Sequence, residues 1–426
     1  MQKSNGFPET NEILIKRCLI TLQLLFLIRI GTFIPVPNID PEYPTSFLKN
    51  SSTIPFLSAF STDEPFVIGL FTLNIIPYIN ASILMQFLVS IIPSLQAYQK
   101  EQGAAGRRKI TKITRYISLG FALIESSSIA LFLKNILFNW NYEIAVEIVL
   151  WLTTGSMIVI WFSELITEYG VGNGPSLLIF TNIISSIPKF FKTLFVQNLD
   201  YISLSIVALL FCISLYGTVF LQDGVRNIKI TTSKQLLQRK KLMSDPSQNI
   251  YIPFRVNQAG VMPLVFTTVV LVLPNYIFNS GILPNESVPF FIKSYQSLYW
   301  VVYFTLILAF SYFYSTLILN PKDISEDLRK QAAIIKEVRP GAATTFYLEQ
   351  TLKRITFIGA IILAIISMLP NLIENIFHIS NLKGLGTTSL LILVGVTFDT
   401  AREIRAVIIS NIYKSRLVEN KESNKY

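Results

Sequence analysis

Two apolar segments of this chain place amides and prolines where a membrane helix would have hydrocarbon. One reads Asn74-Ile75-Ile76-Pro77-Tyr78-Ile79-Asn80-Ala81-Ser82-Ile83-Leu84-Met85-Gln86, the other Asn257-Gln258-Ala259-Gly260-Val261-Met262-Pro263-Leu264-Val265-Phe266. Polar side chains in hydrocarbon are costly, so they face a cavity or another helix. Broken, polar segments at matching positions in two halves of a membrane protein point to a substrate path between the halves. Charge inside the apolar segments is sparse, with Arg29 and Glu125 the clear cases. Arg29 sits near the outer end of its segment and is expected to snorkel to the interface. Glu125 lies mid-segment and is the charge a functional reading must explain.

Other chemistries find little support. No Gly-Lys dipeptide occurs, so there is no phosphate-binding loop of the Walker type. Gly170-Val171-Gly172-Asn173-Gly174 resembles a glycine-rich nucleotide loop, but it opens an apolar segment with no strand before it. A tightly packed helix start is the expectation there. Cys18 and Cys212 both lie in apolar segments and imply no disulfide framework. His378 is the sole histidine, which leaves no basis for a transition-metal site. Neither catalytic residues, nor a cofactor, nor a metal is expected, and the chain is not read as an enzyme.

The elements that position these residues must be membrane helices. Of 426 residues, 51% are hydrophobic and 15% charged, with a mean hydropathy of +0.50. A soluble chain would be about 25% charged. The 31 Phe and 18 Tyr fit lipid-facing helices with aromatic ends. The first apolar run is followed by proline-rich sequence and not by a small-residue cleavage site, so it is expected to be retained as a span. A span needs roughly 20 apolar residues. Ten are expected: Ile13–Ile34, Ile75–Leu95, Ile113–Leu133, Ile144–Ile166, Pro175–Phe190, Ile202–Leu221, Gln258–Phe278, Leu298–Leu319, Leu352–Leu369 and Leu385–Phe398. The fifth and tenth are short.

Net charge is +10, and its distribution assigns it to loop topology before nucleic acid. Counting the flanks of each span, 29 of the 36 Lys/Arg fall on the side of the termini and even-numbered loops. Six fall on the other side, and Arg29 lies inside span one. The basic side is therefore expected to be cytoplasmic or stromal. Two long loops project there, Gln222–Val256 and Asn320–Thr351, and the stretch Asp323–Lys336 has helical character. Loops of this length are usually functional or disordered; docking of a cytosolic partner is the favoured role, and a ribosome's phosphate backbone is one acidic candidate. The external loop Pro35–Leu73 holds the patch Ile54-Pro55-Phe56-Leu57-Ser58-Ala59-Phe60, too short to span. A re-entrant or interfacial segment is the natural reading.

Several motifs, taken in order, resemble the SecY family of protein-conducting channels. They are Arg29-Ile30-Gly31-Thr32-Phe33-Ile34-Pro35-Val36-Pro37, Pro77-Tyr78-Ile79-Asn80-Ala81-Ser82-Ile83 and Gly106-Arg107-Arg108-Lys109-Ile110 with Thr114-Arg115-Tyr116. Glu168–Gly174, Val256–Pro263, Phe310-Ser311-Tyr312-Phe313-Tyr314, Asn320-Pro321 and Arg339-Pro340-Gly341 follow. Each motif alone is modest; their order and spacing are specific and cover most of the chain. The resemblance implies an all-α polytopic membrane protein of the bacterial and plastid type. Its ten transmembrane helices would form two inverted, pseudo-symmetric halves of five around an hourglass pore with a short re-entrant plug. The halves would be residues 1–201 and 202–398, with a cytosolic or stromal tail at 399–426.

The resemblance also implies site residues. A pore ring would comprise Ile75, Ile79, Ile179, Ile183, Val265 and Ile392. Apolar rings gate by dewetting and seal around a passing chain without binding it. The plug would be Ile54, Pro55, Phe56, Leu57, Ser58, Ala59 and Phe60, with Pro55 opposing a long plug helix. Lateral-gate contacts map to Gln86, Glu125 and Asn257, although the family usually has an amide at Glu125. A buried, neutral Glu125 would donate to Gln86 or Asn257. Partner docking maps to Arg339, Pro340, Gly341, Arg107, Arg108, Arg239, Lys240 and Lys241. Implied partners are a SecE-type subunit, a SecG-type subunit, the SecA motor ATPase, the ribosome, unfolded precursor polypeptides and membrane lipid. Heavy use of Ile, Asn, Lys and Phe suggests an AT-rich genome, and so a plastid thylakoid membrane, with a bacterial plasma membrane as the alternative. A secondary transporter and a non-transporting membrane receptor are the rival readings.

Overall fold

The computed structural model describes residues 8–37, 69–95, 98, 103–134, 140–196, 201–232, 250–264, 266, 267, 270, 271, 296–335, 338–377 and 387–423. They fall into two compact units, one running to Ser186 and resuming at Val396, the other spanning Ile187–Gly395.

The first unit contains α1 (Pro8–Gly31), α2 (Ile76–Ile91), α3 (Gly103–Leu133), α4 (Tyr142–Tyr169) and most of α5 (Gly174–Val196). The start of α4 follows from its sequence. Asn141 Oδ1 accepts from the Tyr142 backbone N–H at 2.8 Å, and Glu143 sits in the first turn against the positive helix end. Its buried residues Ile148, Leu152, Gly155, Ser156, Val159, Ile160, Ser163 and Ile166 recur every three or four positions, the period of one helix face. Small polar residues join α3 to α4, where the Ser126 and Thr153 hydroxyls lie 3.1 Å apart in the interior. Nearer the basic end, Arg115 Nε donates to Glu164 Oε1 at 2.5 Å. That pair is half-exposed, so it contributes about 0–1 kcal/mol.

The second unit contains α6 (Tyr201–Asp223), β1 (Val225–Thr232), β2 (Ile250–Arg255), α7 (Gln296–Ile318), α8 (Pro321–Lys330), β3 (Ala333–Ile335), α9 (Ala342–Phe377) and the start of α10 (Thr387–Ser423). Its membrane core gathers Leu221, Leu264, Tyr303, Ile307, Leu363, Ala364 and Leu391. The described parts of the two long basic loops include a small sheet. β1 pairs antiparallel with β2, from Val225↔Arg255 to Ile230↔Ile250, and with β3, from Ile230↔Ile335 to Thr232↔Ala333. Ile228, Ile230, Phe254 and Ile335 bury one face of this sheet against Leu328 of α8 and Leu348, Leu352 and Ile355 of α9.

Among the described residues of Asp323–Lys336, the expected helical character is confined to α8. Asn320 caps it, accepting from the Lys322 N–H at 3.2 Å, and Pro321 occupies the first turn, where a missing N–H does no harm. Ala332 adopts φ +49, which ends the helix, and the chain leaves as β3.

Tyr142–Tyr169, the stretch Trp300–Lys330 that takes in α7 and α8, and Ala342–Leu369 are long and apolar enough to cross a bilayer, and Ile76–Val89 and Gly174–Ser185 are shorter apolar helices. α9 has 36 residues, so it is about 54 Å long, nearly twice the hydrocarbon thickness. Its first turns belong to the sheet-bearing layer and its middle to the membrane. α10 likewise runs well past the expected end at Phe398.

Candidate functional site

The break before α2 is built into the protein interior. Asn74 takes a left-handed conformation at φ +47, and Ile75 caps the helix with no side-chain hydrogen bond. Pro77 lies in the first turn, removing one backbone donor. Upstream, Leu70 N–H donates to Ile34 O at 2.8 Å, and the Thr72 hydroxyl donates to Gly69 O at 2.7 Å. Non-helical backbone survives at membrane depth only where protein or a water-filled cavity surrounds it. Here protein packs on it: Ile28, Val159, Ile160 and Leu178 cluster with Phe71 and Ile75, and a Cβ on Gly155 of α4 would lie 1.9 Å from Leu70 O.

The second broken segment has the same kind of seat. Val256 N–H donates to Gly224 O at 2.8 Å, Gly260 turns at φ +63, and helix resumes at 262. A Cβ on Gly359 of α9 would lie 2.3 Å from Val256 O. In each unit, a glycine in mid-helix therefore receives the carbonyl that precedes the broken helix. Among the expected spans these are four against two and nine against seven, so the second pair repeats the first five spans on.

Three of the first-unit residues expected in a pore ring, Ile75, Ile79 and Ile179, pack in one cluster. Ile75 is buried in a cluster with Ile28, Phe71, Val159, Ile160 and Leu178, and half-buried Ile79 and Ile179 pack on it. Ile183 is buried one turn further along α5. In the second unit Ile392 is buried on α10. Val265 and the plug residues Ile54, Pro55, Phe56, Leu57, Ser58, Ala59 and Phe60 lie outside the described residues.

Glu125 has a partner the sequence reading did not give it. Asn80 Nδ2 on α2 donates to Glu125 Oε1 on α3 at 2.8 Å, while Oε2 is buried with no partner among the described residues. The expected bond to Gln86 is not made; Gln86 is exposed, six residues beyond Asn80. Asn257 is buried, and its Nδ2 has no partner among the described residues. Asn80 was one of three amides in its segment, with Asn74 and Gln86, and the sequence did not mark which of them meets Glu125. Gly155 and Gly359 gave no such signal.

On the basic side, Arg339 and Pro340 are exposed and Gly341 turns at φ +107. Hydrogen bonds hold this turn. The Thr344 hydroxyl donates to Arg339 O at 2.8 Å, Thr345 N–H to Gly341 O at 3.2 Å, and the Ser325 hydroxyl of α8 to Gly341 O at 3.3 Å. The Arg339 side chain is thus presented on a fixed backbone. Beside it, Lys322, Glu326, Arg329, Phe346 and Glu349 line a cavity of about 470 Å³. Glu349 among them is paired with Lys353, whose ammonium lies 2.8 Å from its carboxylate. Arg108 is exposed near the start of α3, and Arg107 shares that helix. Arg239, Lys240 and Lys241 lie outside the described residues.

Comparison with known proteins places this geometry. A family model described as SecY matches residues 69–401. The protein translocase subunit SecY of Trieres chinensis is 50% identical over 416 residues, covering 95% of this chain and 98% of that one. Its counterpart in Porphyra purpurea is 46% identical over 402 residues, covering 93% and 96%. Among solved structures, a protein-conducting channel aligns with TM-score 0.63 at 16% identity, over 97% of this chain and 99% of that one. Sec61 in the canine ribosome–channel complex aligns with TM-score 0.60 at 16% identity and the same coverage. These structures share its all-α polytopic membrane fold, and with half its residues identical to a relative across nearly its whole length, this chain belongs to the SecY family.

Proposed function

We propose that this chain forms the channel of a Sec translocase. Unfolded polypeptides pass along its pore axis, and apolar segments leave sideways into lipid. The observation that carries the reading is the pair of broken helices, each seated on a mid-helix glycine, one per unit. A channel that opens between two halves needs such irregular, polar helix starts lining its path. Aliphatic side chains from both halves, residues 1–201 and 202–398, form the waist: Ile75, Ile79, Ile179, Ile183, Val265 and Ile392. They offer a passing backbone no hydrogen-bond partner, so the waist seals without holding. Residues 53–61 close it from outside at rest.

Asn80 and Glu125 brace α2 against α3 beside the lateral gate, with Gln86 and Asn257 as further polar contacts. The channel is passive and performs no covalent chemistry. Its driving force comes from a SecA-type motor, a ribosome or a proton gradient. Arg339, Pro340 and Gly341 are the main docking point, supported by Arg107, Arg108, Arg239, Lys240 and Lys241. A SecE-type subunit clamps the halves and a SecG-type subunit accompanies them. The termini face the stroma of a thylakoid membrane.

Reconstitution tests this. Proteoliposomes holding the chain, a SecE-type subunit and SecA should convert an added precursor to a protease-protected form when ATP is supplied. No protection with all subunits present and SecA bound would refute the channel. A small-solute flux that depends on Glu125 would instead support a secondary transporter.

A further inference from the structure

A groove in the second unit has the form of a lipid site. It lies between α7 and α9, which are joined by the Ser315 and Thr356 hydroxyls, 2.7 Å apart and buried. The groove holds about 360 Å³, within the usual range for a ligand cavity. Leu308, Tyr312, Phe357 and Ala360 form its wall, with Lys353 and Arg354 at one end.

The order of these residues along the helices matters. Lys353 and Arg354 flank the membrane part of α9 on the basic side, and the register set by Ser315 and Thr356 puts Tyr312 of α7 below them, toward the bilayer core. Cationic residues at the end of an apolar span mark the headgroup layer. From Arg354 to Ala360 the helix descends about 9 Å toward the bilayer core, and from Tyr312 to Leu308 about 6 Å. Polarity thus changes along the groove as it does along a lipid, charged at the interface and apolar below. Lys353 is engaged by Glu349 at 2.8 Å, whereas Arg354 is exposed and makes no ion pair among the described residues. Phe357 is 60% exposed, so the wall is open to lipid from the side.

We propose that this groove binds one anionic lipid, its phosphate on Arg354 and its upper acyl chain along Phe357 and Ala360. Basic pockets between helices on the positive side of a membrane are the usual receptors for acidic headgroups. The guanidinium offers two parallel donors to a phosphate, which a zwitterionic headgroup's own ammonium would partly offset. The site rests on the membrane placement of α7 and α9 and not on the channel reading, so each can fail alone.

The test uses the intact complex in nanodiscs with a Phe357→Trp reporter. Quenching of the added emission, relative to the parent with its four native tryptophans, is measured with brominated phosphatidylglycerol or brominated phosphatidylcholine. Phosphatidylglycerol should reach half-quenching at about one-fifth the mole fraction, the advantage of one cation at the surface. Arg354→Gln in the reporter background should abolish that preference. An Ile358→Trp reporter, on an exposed neighbour outside the groove wall, should show none and confirms that the lipid is accessible. Equal quenching by both lipids at Phe357→Trp would overturn the proposal. So would quenching by neither, which would mean that protein covers the groove. Loss of the preference on adding millimolar inorganic phosphate, at constant ionic strength, would reassign Arg354 to a soluble anion and overturn it as well.

Discussion

Breaking the bond between Asn80 and Glu125 should destabilise the first unit in a way that a double-mutant cycle can isolate. Asn80→Ala removes the donor at 2.8 Å from Glu125 Oε1. Oε2 already lacks a partner among the described residues, so the whole carboxyl is then stranded in the bundle. Leaving a buried polar group unsatisfied costs about 1–3 kcal/mol. Glu125→Ala strands the half-buried amide of Asn80, a neutral group, and should fall at the low end of that range. The double substitution removes both groups together. Measured hydrogen bonds between membrane helices average about 0.6 kcal/mol and reach about 1.7, so the coupling should fall in that interval. The assay is SDS-induced unfolding of the purified complex, followed by helical circular dichroism. Single effects that add to the double within about 0.3 kcal/mol would refute the bond as an energetic link. Glu125→Gln keeps a carbonyl for Asn80 to donate to, so coupling and insertion of apolar segments should both survive. A severe insertion defect would show that the charge matters and not the acceptor.

Other perturbations test other levels of the structure. Gly155→Ala and Gly359→Ala place a Cβ at 1.9 Å from Leu70 O and 2.3 Å from Val256 O, so both should lower the melting temperature in detergent. Overpacking against backbone costs about 1–3 kcal/mol or more. Gly120→Ala meets nothing within 4 Å and should gain up to about 1 kcal/mol from helix propensity, so an equal loss there would refute the seating argument. Ile228→Asp puts a charge beneath the sheet and should expose Arg226 and Lys229 to trypsin while leaving the apolar helices intact; unchanged cleavage would contradict the packing described. Arg339→Glu should block export with the membrane complex assembled, and wild-type export would remove Arg339 from docking.

The membrane body was legible because its signal is composition over long windows. Spans such as Ile144–Ile166 and Leu298–Leu319 fall inside α4 and α7, or nearly so, and the polar runs at Asn74 and Asn257 sit where helices break. Helix ends were less legible, since α9 and α10 extend as helix beyond their apolar windows. The sheet escaped because Ile228-Lys229-Ile230 and Ile252-Pro253-Phe254 alternate over only a few positions inside loops dominated by basic charge. Strands that short declare themselves only when β3, about a hundred residues away in sequence, pairs with β1. Within the site, Glu125 stood out as an isolated charge, yet its partner depended on which face of α2 meets α3. The glycine seats depend on backbone approach between elements, which no local pattern encodes.

The channel is tested most directly by photocrosslinking from Ile79 and Ile183 to a precursor stalled in transit, in membranes holding a SecE-type subunit and SecA. The account predicts adducts at both positions that appear only with the stalled chain. No adduct at either, with SecA bound and the complex intact, would make these isoleucines ordinary core and contradict the channel.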